Sequence, residues 1–171
     1  SRMSATRHPM KIQHFIALLV LSLATVPVAR AAVLAGPITN AANAHAYYLL
    51  SSNTWTASEA EAIGLGGHLV TINDAAENQW VLNTFFPLTG GPYDWLWIGL
   101  NDAVNEGQFF WAGEEGAIAI WASGEPFTTD VEDYAAIERL SGRWKDLSDT
   151  YGLENPTAPT FGVVEVAVAV T

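Results

Sequence analysis

The spacing of apolar residues changes partway along this chain. HAYYLLSS, from His45, reads as a strand. TWTASEAEAIGLGG follows, with Thr56 and Glu59 spaced as a capping box and Gly64, Gly66 and Gly67 as the stop of a helix. HLVTI is a short buried strand. Asp74 with Glu77 opens a second helix, on which Ala76, Trp80, Val81 and Phe85 share a face until Pro87 breaks it. LWIGL is then a compact apolar strand. After residue 100 the helical period disappears, and QFFW, AIAIW, DYAAIE, GRWKDL and FGVVEV alternate with turns. This order predicts an α+β fold, with two helices flanking antiparallel sheets and a long loop region near residues 122–133.

Composition narrows the picture. Half of the 171 residues are hydrophobic and seven are Trp, enough for one domain with a sizeable core. The net charge is −11, and four of the seven bases precede residue 31 while all eighteen acids follow it. Such a surface repels nucleic acid and anionic membrane, and suits hard cations or uncharged partners. Acid in excess also serves solubility alone. There is no cysteine, which excludes thiol catalysis, zinc–thiolate sites and disulfides.

Residues 1–31 read as upstream sequence plus a signal peptide. Arg7 and Lys11 give a basic start, FIALLVLSLATVPVA is the apolar run, and Ala29-Arg30-Ala31 is the cleavage site. Met10 offers a start for that peptide; the chain itself begins without Met, as a fragment would. The reading is of export to the periplasm, the cell surface or the medium. Residues 32–44 look like a leader, and residues 45–168 like the folded domain.

At LWIGLNDAVNEGQFFW the sequence resembles the C-type lectin-like domain. Its core strand is Trp97-Ile98-Gly99-Leu100, followed by Asp102, Glu106, Gly107 and Phe109. Glu125-Pro126 matches part of the family's Glu-Pro-Asn motif, Glu132-Asp133 its Glu-Asp pair, and Trp144 with Asp146 part of Trp-Asn-Asp. The resemblance runs from about His45 to Val166 and implies a non-enzymatic binding module for a glycan or protein ligand. Cysteine-less members of this kind look bacterial, and Tyr134 stands where a Cys normally follows Glu-Asp.

The resemblance also implies calcium. In the family, the sugar-binding ion is held by five side chains and completed by vicinal sugar hydroxyls. Glu125, Glu132 and Asp146 remain here, while Phe127 and Lys145 replace two asparagines and degrade the site. An ammonium about 4 Å from a dication is repelled by roughly 8 kcal/mol at an effective dielectric near 20. That exceeds the roughly 4–6 kcal/mol of a weak extracellular calcium site. Either Lys145 turns away or calcium stays out, and the simpler expectation seats the ammonium among the three carboxylates. The auxiliary calcium site keeps oxygen donors at Asp102, Glu106, Asp130, Glu132 and Asp133. Its bland counterpart is a solvated acidic loop without metal. Without the ions, the rival reading is a calcium-independent protein-interaction module.

Other chemistry is thin. His45 and His68 fall on expected strands without a partner pattern and read as structural. Phe127 or Trp121 could stack on a sugar face, although aromatic residues more commonly pack a core.

Overall fold

The computed structural model describes residues 31–114, 116–127 and 131–168; the expected signal peptide and Asp130 lie outside them. The elements in chain order are β1 (Val33–Thr39), β2 (Ala46–Ser52), α1 (Trp55–Gly64), β3 (His68–Leu69), α2 (Ala75–Thr89), β4 (Trp95–Asn101), β5 (Phe110–Trp111), β6 (Tyr134–Glu138), β7 (Trp144–Leu147), α3 (Tyr151–Glu154) and β8 (Thr160–Val166). The strands run β1-β2-β8-β4-β6-β7, with β3 also on β8 and β5 also on β4. The α+β class is as expected. The pairing of β4 with β8 is parallel, however, whereas the sequence reading expected antiparallel sheets. Alternation marks a strand but not the direction of its neighbour, and three intervening strands separate these two.

The apolar run Trp95–Leu100 is buried throughout, as befits a central strand covered on both faces. Tryptophan indoles peg the layers together. Trp55 Nε1 donates to the Ile98 carbonyl at 2.7 Å and Trp97 Nε1 to the Asn53 carbonyl at 3.0 Å. Trp144, fully buried on β7, donates Nε1–H to Asn78 Oδ1 of α2 at 2.9 Å. A buried indole with its N–H satisfied contributes large apolar area at no polar cost. This packing holds the sheet without disulfides.

Several local expectations change. The supposed leader contains β1, which pairs with β2 and carries Pro37 on the sheet edge, where a missing N–H is tolerated. Its largely exposed residues hid the strand from a search for apolar alternation. The N-cap of α1 is Thr54, whose side chain accepts from Ala57 N, and not Thr56. Glu59, expected in a capping box, is instead drawn to His68. Asp74 does cap α2 and accepts from Glu77 N at 2.8 Å. That helix runs past Pro87 to Gly90, whose φ of 91° makes the left-handed cap. Val81 and Phe85 are buried on it, whereas Ala76 is exposed; Glu77 and Asn78 are buried instead, through their hydrogen bonds to Tyr47 and Trp144. HLVTI shortens to the two-residue β3, and AIAIW forms only a bridge from Trp121 to Trp144.

Candidate functional site

The end of β4 and the middle of β7 carry acids within electrostatic reach of one another. Asp102 follows β4 directly; its N–H donates to the Asp133 carbonyl at 3.0 Å, tying it to the start of β6. Its Oδ2 accepts the Gly107 N–H at 2.7 Å, which closes the intervening loop. Gly107 has a φ of 76°, a conformation that favours glycine. Asp146 projects from β7, and its Oδ1 accepts the Phe127 N–H at 3.0 Å. The Glu125–Pro126 bond is cis.

Asp102 and Asp146 are each only 1% exposed, so the picture of a merely solvated acidic loop does not hold for them. Burial raises the pKa of Asp102, opposed by the Gly107 hydrogen bond and aided by the charges of Asp133 and Asp146. Glu125 is pushed up to about 7, first by burial, then by a side-chain hydrogen bond with Asp146 and the charge of that residue. Glu132 adds to the effect and Lys145 opposes it. The structure thus brings Glu125, Glu132 and Asp146 within electrostatic reach, and links Asp146 to Asp102 and Asp133. Glu106 is exposed on the loop between Asp102 and Gly107. Asp130 falls outside the described residues.

Lys145 is expected among the carboxylates, and its charge does reach Glu125. Its Nζ lies over the Trp95 ring, 5.7 Å from the centroid. Neighbouring residues of a strand point to opposite faces, so Lys145 and Asp146 diverge. The Lys145 charge nevertheless lowers the Glu125 pKa, so the electrostatic objection to a cation at Glu125 stands. Phe127 is 52% exposed at the rim, available to a ligand. Trp121 is partly buried and packs edge-on against Phe109 and Trp144 at the margin of the core.

The donor set suits a hard cation in kind. Asp102 Oδ1, Glu125 Oε2 and Asp146 Oδ2 are buried and have no hydrogen-bond partner. An ionised carboxylate oxygen is an acceptor only, and leaving one buried and bare is costly. Among the described residues, no group of three or more His, Asp or Glu is drawn close enough to enclose a metal. The oxygens therefore fit calcium by chemistry, with the loop side chains not gathered around a point.

One constellation escaped the sequence reading. His45 pairs with Glu165 and His68 with Glu59. The first pair is separated by 120 positions, and no local spacing could signal it.

Comparison with known proteins agrees with this geometry. The lectin C-type domain profile matches residues 51–154. The chain is 36% identical over 94 residues to the alpha-N-acetylgalactosamine-specific lectin of Patiria pectinifera, covering 53% of this chain and 55% of that protein. It is 26% identical over 104 residues to a perlucin-like protein of Mytilus galloprovincialis, covering 59% and 66%. The chain thus spans less than two thirds of these curated relatives. Among solved structures, the C-type lectin CEL-I of Cucumaria echinata superposes with a TM-score of 0.62 at 27% identity, over 71% of this chain and 89% of that one. A calcium-independent type II antifreeze protein shares the fold, with a TM-score of 0.60 at 20% identity over 84% of this chain and 96% of that one. The chain belongs to the C-type lectin domain family.

Proposed function

We propose that this protein is an exported glycan-binding module, and that calcium supports binding at the acidic end of β4 and β7. The observation that carries this reading is the set of buried, acceptor-only oxygens on Asp102, Glu125 and Asp146 that lack a donor. Glu125, Glu132 and Asp146 would face the sugar-binding ion. Asp102, Glu106, Asp130, Glu132 and Asp133 would serve the auxiliary one. Calcium bound there would neutralise the carboxylates and offer open positions to sugar hydroxyls. Phe127 at the rim supplies an apolar surface for a sugar face. A chain of net charge −11 favours neutral sugars over anionic ones. The lectins among the relatives support a binding role over catalysis.

A second reading has its own support. Burial and the neighbouring Asp146 raise the Glu125 pKa to about 7, so protonation of Glu125 competes with a metal near neutral pH. Phe127 and Lys145 bring no oxygen ligand. On that reading the module binds a protein partner independently of calcium. The two separate on columns of immobilised galactose and N-acetylgalactosamine, run in calcium and in chelator. Retention in calcium that is lost in chelator supports the first reading. Absence of retention in both buffers removes it.

A further inference from the structure

A cavity of about 320 Å³ shares no lining residue with the acidic loop. It lies where the β1–β2 connection meets the start of α2, and Asn40, Asn43, Asn73, Asp74, Glu77 and Trp80 line it. A volume of this order suits a small ligand. Most of the polar wall is bonded internally. Asn43 donates Nδ2–H to the Tyr47 hydroxyl at 2.7 Å and to Glu77 Oε1 at 3.3 Å, and its Oδ1 accepts the His45 N–H at 3.0 Å. Glu77 Oε1 also accepts the Tyr47 hydroxyl at 2.8 Å, while Oε2 accepts the Asn73 backbone N–H at 2.8 Å and Asn73 Nδ2–H at 3.2 Å. The wall is therefore held in place before any ligand arrives.

Two donors are left over. Asn40 is 4% exposed, and its backbone closes the turn: its N–H donates to the His45 carbonyl at 3.1 Å, and its carbonyl accepts the Ala44 N–H at 2.8 Å. Its Oδ1 accepts the Ala42 N–H at 3.0 Å, which fixes the plane of the amide. Its Nδ2 has no partner among the described residues and is not sealed from solvent, so it opens onto the cavity. A polar side chain this buried normally finds a partner. Trp80 is half-buried and edge-on to Tyr47, with centroids 4.7 Å apart. Its Nε1–H likewise has no partner among the described residues. Asn73 Oδ1, at the exposed rim, accepts from no described residue.

The charge around these groups selects the ligand. Asp74 and Glu77 line the cavity and no basic residue does, so an anion is repelled. A metal cation finds no group of three or more His, Asp or Glu among the described residues. An uncharged molecule that both accepts and donates hydrogen bonds is the remaining class. A sugar ring carries several hydroxyls side by side, each able to do both, and the Trp80 indole offers apolar surface to the C–H groups of the ring. We infer that this cavity binds a neutral sugar residue without calcium, with Asn40 Nδ2 and Trp80 Nε1 donating to its oxygens. The ligand class is shared with the proposed function, but the residues are different and no ion takes part.

The test is an NMR titration of the isotope-labelled full chain, in chelator, with galactose, N-acetylgalactosamine and glucose, and with N-methylacetamide as a peptide probe. Chelator silences any calcium site, so a failure here is separate from a failure of calcium-dependent sugar retention. At least one sugar should shift the Trp80 indole and Asn40 carboxamide signals saturably. Asn40→Ser keeps an oxygen that can close the turn and withdraws the donor from the cavity. Trp80→Phe keeps an aromatic ring and removes the N–H. Each should weaken the affinity about three- to tenfold, read on the signal of the other residue. The dispersion of each spectrum reports that the variant folds. No saturable shift with any of the sugars, a shift from N-methylacetamide alone, or an affinity unchanged in either variant overturns the inference.

Discussion

The strand that carries Asp146 is held to helix α2 by one side chain, and removing it should have a measurable cost. Asn78 is buried and makes two bonds: it accepts from Trp144 Nε1 at 2.9 Å and donates Nδ2–H to the Gly142 carbonyl at 3.1 Å. Asn78→Ala leaves the Trp144 N–H inside a fully buried ring with no partner. An orphaned buried donor costs about 1–3 kcal/mol, and loss of the second hydrogen bond about 1 more. The variant should therefore be destabilised by about 2–4 kcal/mol in equilibrium urea unfolding. A double-mutant cycle with Trp144→Phe isolates the indole bond, because phenylalanine keeps an aromatic ring and removes the donor. Asn78→Ala should cost about 1–2 kcal/mol less in that background than in the parent. A loss below about 0.5 kcal/mol, or the same loss in both backgrounds, would refute the claim that this contact anchors β7.

Three further outcomes follow from the same structure. Gly67→Ala forces a Cβ against the main chain of β8 and should lower stability by about 2–3 kcal/mol in thermal or urea melts; an unchanged melt would mean that the close approach relaxes freely. In metal-free buffer the folded chain retains a proton on Glu125 that the unfolded chain releases, since its pKa rises from 4.5 to about 7. Stability is therefore greatest near and below pH 4.5 for this group and falls as pH rises toward 7. At 1.36 kcal/mol per unit the ceiling is about 3 kcal/mol, and screening at this partly exposed residue reduces it to about 1–2 kcal/mol. Glu125→Gln should flatten that slope, and an equally steep slope in the variant would assign it elsewhere. Restoring amides with Phe127→Asn and Lys145→Asn should create or strengthen calcium-dependent sugar retention; a double variant that binds neither calcium nor sugar would show that the loop residues have been misassigned.

Much of the scaffold could be read from the chain because its signals are local. The apolar run at Trp97–Leu100 declared a buried strand, and Asp74 with Glu77 declared a helix start, since each depends on residues a few positions apart. The parallel β4–β8 pairing was not legible, because it depends on how distant segments return. β1 was missed because an exposed edge strand needs no apolar alternation. The acidic residues were placed by motif order, and Asp102 and Asp146 lie within electrostatic reach of each other. Lys145 reaches over Trp95, as strand alternation after Asp146 suggests, while its charge still acts on Glu125. His45 and His68 looked structural without partners because their carboxylate partners enter from β8 and α1, and only the fold brings each pair together.

The most direct test of the lectin reading is a calcium titration of residues 32–171 by calorimetry, with melts in calcium and in chelator and a column of immobilised N-acetylgalactosamine. Calcium-dependent heat, a melt raised by calcium, and sugar retention that chelator abolishes are the results predicted. A flat titration, an unchanged melt and no retention would contradict the account.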